Sequence, residues 1–169
     1  MVEIRVYGIP RPQGSKRHVG RGIMVEASKH VGQWRNDVMS AAAAAHRGAP
    51  ITGPVRLEIV FLFPRPKSHF GTGRNANKLK PSAPRHCTSR AYGDTSKLIR
   101  STEDAISASS GYPVIEDDSQ VYGLTVEKRY VRDTDLEGCG AIIRVIESQY
   151  DSKRSGADIR PNAEALVCG

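Results

Sequence analysis

A chain of 169 residues has room for one hydrophobic core and is short for two. Its 38% hydrophobic and 25% charged residues are the proportions of an ordinary globular protein, and 6% aromatics is too few for a broad base-stacking platform. A net charge of +7 favours a polyanionic partner, because each phosphate that a lysine or arginine neutralises releases condensed counterions.

The opening MVEIRVYGIPRP lacks the long apolar region of a signal peptide, and no stretch approaches membrane-spanning length. Cys87, Cys139 and Cys168 are odd in number and have no CxxC spacing, so neither a disulfide framework nor a zinc site is expected. His86-Cys87 lacks a second ligand pair. A cytoplasmic protein is the expectation.

Val2 to Tyr7 alternates as a strand and stops at Gly8-Ile9-Pro10. The basic, Gly-rich RPQGSKRHVGRG follows as a loop. Ser28 can cap a helix running to about His46, with Val31, Trp34, Val38 and Ala41 or Ala42 on one face, so Trp34 is read as core. Val55 to Phe63 is the strongest strand, ended by Pro64 and Pro66.

From Arg65 to Gly93 the periodicity is lost, with seven Lys or Arg residues and no acid. So long a connection is either a binding loop or local disorder. Asp94 to about Ser109 reads as a helix with Leu98, Thr102, Ala105 and Ile106 buried, and Lys97, Arg100 and Asp104 on another face. Val121 to Val131 alternates as a strand, with Leu124 and Val126 opposite in face to Val121. Ala141 to Ile146 is the last strand.

This order predicts an α+β fold in a single domain, a mostly antiparallel or mixed sheet with two main helices on one face. The domain spans 1–147, including the basic loop at 65–93, and 148–169 is a polar tail. No internal repeat is visible.

The informative stretch is GDTSKLIRSTEDAISASSGYPVIEDDSQV, Gly93 to Val121. Metal-dependent phosphodiester hydrolysis needs carboxylates that converge on Mg²⁺ or Mn²⁺, framed by cations. Asp94 at a helix start, Asp117-Asp118 before a strand and Arg100 within the helix supply those ingredients. Each has a plainer reading. Asp94 suits a simple N-cap, Asp117-Asp118 is a common turn pair, and Arg100 with Asp104 has the spacing of a surface ion pair.

The stretch nevertheless resembles the core signature of the RusA family of Holliday-junction resolvases, common in phages and prophages. Asp94, Lys97-Leu98, Arg100, Asp104-Ala105-Ile106 and Asp117-Asp118-Ser119-Gln120-Val121 fall in step with it. GIPRPQGSKR and SKHVGQWRNDV resemble the family's opening loop and first helix, so the likeness spans about residues 3 to 132.

The resemblance implies a homodimer acting on branched DNA, one active site per subunit, with paired nicks across a four-way junction. It implies metal-binding acids at Asp94 and Asp118, with Asp117 adjacent, and an essential basic residue at Arg100, where many members have Lys. The family's second acid falls on Ser96, a neutral and poorer Mg²⁺ ligand. Three outcomes stay open. Asp104, Asp117 or Glu103 completes the metal site; one metal is bound and cutting is slow; or catalysis is lost and junction binding remains.

Lys16, Arg17, Lys67, Arg74, Lys78, Lys80, Arg85, Arg90 and Lys97 are the expected DNA-binding residues. In flexible basic loops they would follow phosphates without reading bases, which predicts shape-selective, salt-sensitive binding. The competing readings are a non-catalytic junction-binding protein, a nuclease for flaps, forks or structured RNA, and a phage assembly protein.

Overall fold

A computed structural model describes residues 1–14, 16–18, 24–26, 30–107, 111–131 and 138–148. Ser28, Cys168 and the tail from residue 149 onward lie outside the described residues. The strands are β1 (Val2–Tyr7), β2 (Lys16–His18), β3 (Met24–Glu26), β4 (Val55–Phe63), β5 (Val121–Tyr130) and β6 (Gly140–Glu147). The α-helices are α1 (Val31–Ala45) and α2 (Thr95–Ile106). The expected α+β class is what the chain adopts: a four-stranded mixed sheet with two helices, in one domain.

The main sheet has the order β1-β6-β4-β5. β6 runs antiparallel to both β1 and β4, whereas β4 and β5 are parallel. The parallel pair follows from the connection, because the long loop and α2 carry the chain back to the starting end of the sheet. β2 and β3 form a separate two-stranded ribbon inside the segment expected to be loop.

Alternation decides which face of the sheet is covered. Ile4 and Val6 of β1, Leu57, Ile59, Phe61 and Phe63 of β4, and Ile143 and Val145 of β6 are buried together with Trp34, Val38 and Ala42 of α1 and Leu98, Ala105 and Ile106 of α2. Both helices therefore serve one core. The opposite face carries ion pairs, among them Arg144 with Glu3 at 2.8 Å. Trp34 is core as expected, and its indole N–H donates to the Thr102 hydroxyl at 3.2 Å, tying α1 to α2.

One expectation is corrected. Val121 faces the core together with Val126, because a bulge opposite Val55/Arg56 adds a residue and reverses the alternation between them. Counting by twos across a bulge assigns the wrong face.

The basic connection is anchored at its base. Tyr92 packs on Phe63 with ring centroids 4.5 Å apart, and lies edge-on to Tyr130 at 6.3 Å. The Arg65 guanidinium sits 4.2 Å from the Tyr130 ring centroid and donates to the Pro84 carbonyl at 2.9 Å. Phe70 bridges to Leu79, and the Lys80 ammonium donates to the Ser68 carbonyl at 2.9 Å.

Candidate active site

α2 forms because Leu98, Thr102, Ala105 and Ile106 recur at helical spacing and bury, with Ser101, against the rest of the core. Successive residues turn by about 100°, which puts Ser96, Arg100 and Glu103 on one outward stripe. Asp104 lies on a different line. Its carboxylate accepts from Arg35 of α1 at 2.6 Å, in a pair whose side chains are 30% and 32% exposed.

Asp94 is the N-cap of α2, but its side chain makes no capping hydrogen bond. A carboxylate here would ordinarily accept from the helix's first N–H groups. Instead it is 74% exposed, with Lys97 Nζ at 3.8 Å. The plain N-cap reading therefore does not account for its side chain.

The segment Arg11–Gly14 is laced to the same helix. Gln13 N–H donates to the Lys97 carbonyl at 3.0 Å, and the Ser101 hydroxyl donates to the Arg11 carbonyl at 2.8 Å. Gln13, Gly14, Lys97 and Arg100 then line a cleft of about 310 Å³. Two cations in an open cleft beside an exposed carboxylate suit a phosphate backbone. Gln13 and Gly14 are lining residues that the sequence did not mark, although both fall within the family-like GIPRPQGSKR.

The DDSQ turn divides its labour. Asp117 accepts from Ser119 N–H at 2.9 Å, and its own N–H donates to the Gln120 side chain at 2.7 Å. The Gln120 amide also donates to the carbonyls of Ile51 and Gly53, at 3.0 and 2.9 Å. Hydrogen bonds from Ser119, side chain first and then backbone, hold the Asp117 carboxyl below its usual range. Asp117 and Gln120 thus build the turn, while Asp118 is left exposed.

Glu103 is the candidate acid whose carboxyl is pushed up. Burial, and then the negative charges of Asp118 and Asp104, push its carboxyl above the usual range. The candidate acids do not all meet. Glu103 lies nine residues after Asp94, about 13–14 Å along the helix. Among the described residues no three His, Cys, Asp or Glu side chains form a group that could hold a metal ion. Ser96 occupies the outward stripe between them, at the position where the family pattern has an acid.

Lys67, Arg74, Lys78, Lys80, Arg85, Arg90, Lys97 and Arg100 are all exposed. Lys16 and Arg17 lie on β2 of the small ribbon, and only their backbone is described. No helix among the described residues is long and apolar enough to cross a membrane.

Comparison with known proteins bears on this arrangement. The family model for endodeoxyribonuclease RusA matches residues 6–137. The chain is also 28% identical over 141 residues to the uncharacterized protein YqaN of Bacillus subtilis (strain 168), an alignment covering 80% of this chain and 92% of that one. The matched region takes in the cleft, the basic loop, α2 and the DDSQ turn.

Proposed function

The chain belongs to the RusA endodeoxyribonuclease family, and on that premise we propose that it is a metal-dependent, structure-selective nuclease that makes paired nicks in Holliday junctions. It would act as a homodimer, in the cytoplasm, during recombination, repair or phage DNA processing. The observation that carries this reading is the division of labour in the DDSQ turn. Asp117 and Gln120 are committed to the turn's own hydrogen bonds, and Asp118 is exposed within electrostatic reach of Glu103.

The donor chemistry suits Mg²⁺ or Mn²⁺, which take oxygen ligands and commonly use one or two carboxylates plus water and substrate phosphate. Asp118 and Glu103 repel one another, the condition that a shared dication relieves. In this proposal Asp118 and Glu103 would hold the ion, while Asp94, about 13–14 Å along the helix from Glu103, stands apart from them beside Lys97. Asp104 and Asp117 support the frame, the one by holding Arg35 and the other by closing its turn. When bound, such an ion polarises the scissile phosphate and lowers the pKa of an attacking water.

The rest falls to the chain's own side chains. Arg100 and Lys97 neutralise the phosphate that enters the cleft, and Arg100 can grip two of its oxygens at once. Lys16, Arg17 and the exposed cations from Lys67 to Arg90 hold the neighbouring backbone without reading bases. Ser96 favours one second reading, a junction-binding protein weakened or inactive in cutting.

The test is incubation of the purified protein with a mobile four-way junction in Mg²⁺ or Mn²⁺, beside a linear duplex of equal length and an Asp118→Asn control. Metal-dependent nicking of the junction that spares the duplex and is absent from the control is the expected result. Tight junction binding without nicks would replace the proposal with the second reading.

A further inference from the structure

Ser101 is fully buried in α2, at a place where alanine would form helix better and leave no polar group to satisfy. Its hydroxyl donates at 2.8 Å to the carbonyl of Arg11, 90 positions away in the chain. The Leu98 carbonyl of its own helix is also within reach at 2.9 Å, the bond a helix serine ordinarily makes. That oxygen already takes the Thr102 hydroxyl at 2.9 Å, so the Ser101 proton goes to Arg11. Two more ties follow in consecutive residues. The Pro12 ring lies where a Cβ at Gly93 would run into it, and the Gln13 N–H donates to the Lys97 carbonyl at 3.0 Å.

Arg11, Pro12 and Gln13 are thereby strapped along the first turns of α2, and Gln13 and Gly14 share a cleft with Lys97 and Arg100. With its N–H spent on Lys97, Gln13 offers the cleft its side-chain amide, two N–H donors without charge. Phosphate oxygens accept from glutamine side chains as well as from cations. We propose that the cleft grips one DNA phosphate with two elements, Lys97 and Arg100 on α2 and the Gln13 amide on the strap, and that Ser101 is the positioning residue that holds the strap there. The inference rests on the reading of this cleft as a DNA-phosphate site, and no metal enters it. The two halves of the grip differ in a measurable way. Cations release counterions from the phosphate, whereas a neutral amide adds a hydrogen bond and releases none.

The experiment measures the affinity of the full-length protein for a labelled four-way junction by anisotropy, in EDTA and across a salt series. The proteins are wild type, Gln13→Ala, Gln13→Glu, Ser101→Ala, the Gln13→Ala/Ser101→Ala double variant and Lys97→Ala/Arg100→Ala. Gln13→Ala should bind about tenfold more weakly with its salt slope unchanged, the scale of one hydrogen bond to a charged group. Gln13→Glu, the same shape with a repelling charge, should bind more weakly still. Lys97→Ala/Arg100→Ala should lose affinity and also flatten the slope of log K against log salt by about 0.9. Ser101→Ala should lose about three- to tenfold by itself and nothing further in the Gln13→Ala background.

Full affinity in Gln13→Ala, alongside a loss in Lys97→Ala/Arg100→Ala, would overturn the shared grip and leave the cleft a purely cationic site. Full affinity in Ser101→Ala, or a loss that persists undiminished in the Gln13→Ala background, would overturn the positioning role, because Ser101 would then not act through Gln13. Wild-type affinity and slope in Lys97→Ala/Arg100→Ala would refute the reading of the cleft itself, and the inference would fall with it. Should Ser101→Ala fail to fold, Ser101→Cys, close in volume and only a weak donor, takes its place in every comparison.

Discussion

Position 96 carries a hydroxyl where the family pattern has a carboxylate, and the surrounding residues show what that changes. Asp94 stands free of its helix on one side, and Glu103 feels the charge of Asp118 on the other. A carboxylate at position 96 would add a charge two residues from Asp94, about 10–11 Å along the helix from Glu103. Ser96→Asp should therefore raise nicking at limiting Mg²⁺ by about tenfold or more, since it restores a charged oxygen ligand. An unchanged rate across a Mg²⁺ titration would mean that Glu103 already supplies what Ser96 lacks. Much of this was legible from residue types: Asp94, Arg100 and Asp118 were marked by sequence. The proposed preference for Glu103 over Asp104 was not, because it depends on Arg35, 69 positions away in the chain, reaching Asp104. Spacing held a partial signal, since Glu103 at i+7 from Ser96 is closer to its line than Asp104 at i+8.

At the scale of elements, the helices and long strands were legible because their apolar residues recur at the right period. Val31, Trp34, Val38 and Ala42 are all buried in α1, and Leu98, Thr102, Ala105 and Ile106 in α2. Three things were not legible. The β2–β3 ribbon is short and lies in Gly-rich sequence without alternation. The bulge in the β4–β5 pairing reverses the face of Val121. Strand β6, the last strand among the described residues, enters the centre of the sheet, a pairing that local pattern cannot encode. That insertion sets Arg144 of β6 opposite Glu3 of β1 on the face away from the helices. Hydrogen bonds from Arg144, and then from Arg5, hold the Glu3 carboxyl below its usual range. A lowered carboxyl stabilises the fold above the usual glutamate range, and the contribution is lost as pH falls through the lowered folded value. Glu3→Gln should therefore cost ~0.2–1 kcal/mol at neutral pH, as exposed pairs do. The gap between the two urea curves should close in acid, below the usual glutamate range. A gap that persisted there would show that something other than the ion pairs is lost.

For the whole molecule, the cations are concentrated where the proposed chemistry is. The loop from Arg65 to Gly93 is pinned at its base by Phe63, Tyr92, Tyr130 and Arg65, and it exposes Lys67, Arg74, Lys78, Lys80, Arg85 and Arg90 before running directly into Asp94. If six of these cations contact phosphate, junction affinity should fall by roughly a thousandfold between about 50 and 200 mM salt. A flat salt response, read by anisotropy on a labelled junction, would make them solvated loop charges. The most direct test of the central claim is the map of nick positions on a four-way junction with each strand labelled in turn, in Mg²⁺ or Mn²⁺. A two-fold pair of active sites predicts nicks at symmetry-related positions on two opposite strands, yielding products that separate into nicked duplexes. Nicks scattered over all four strands, or none, would contradict it.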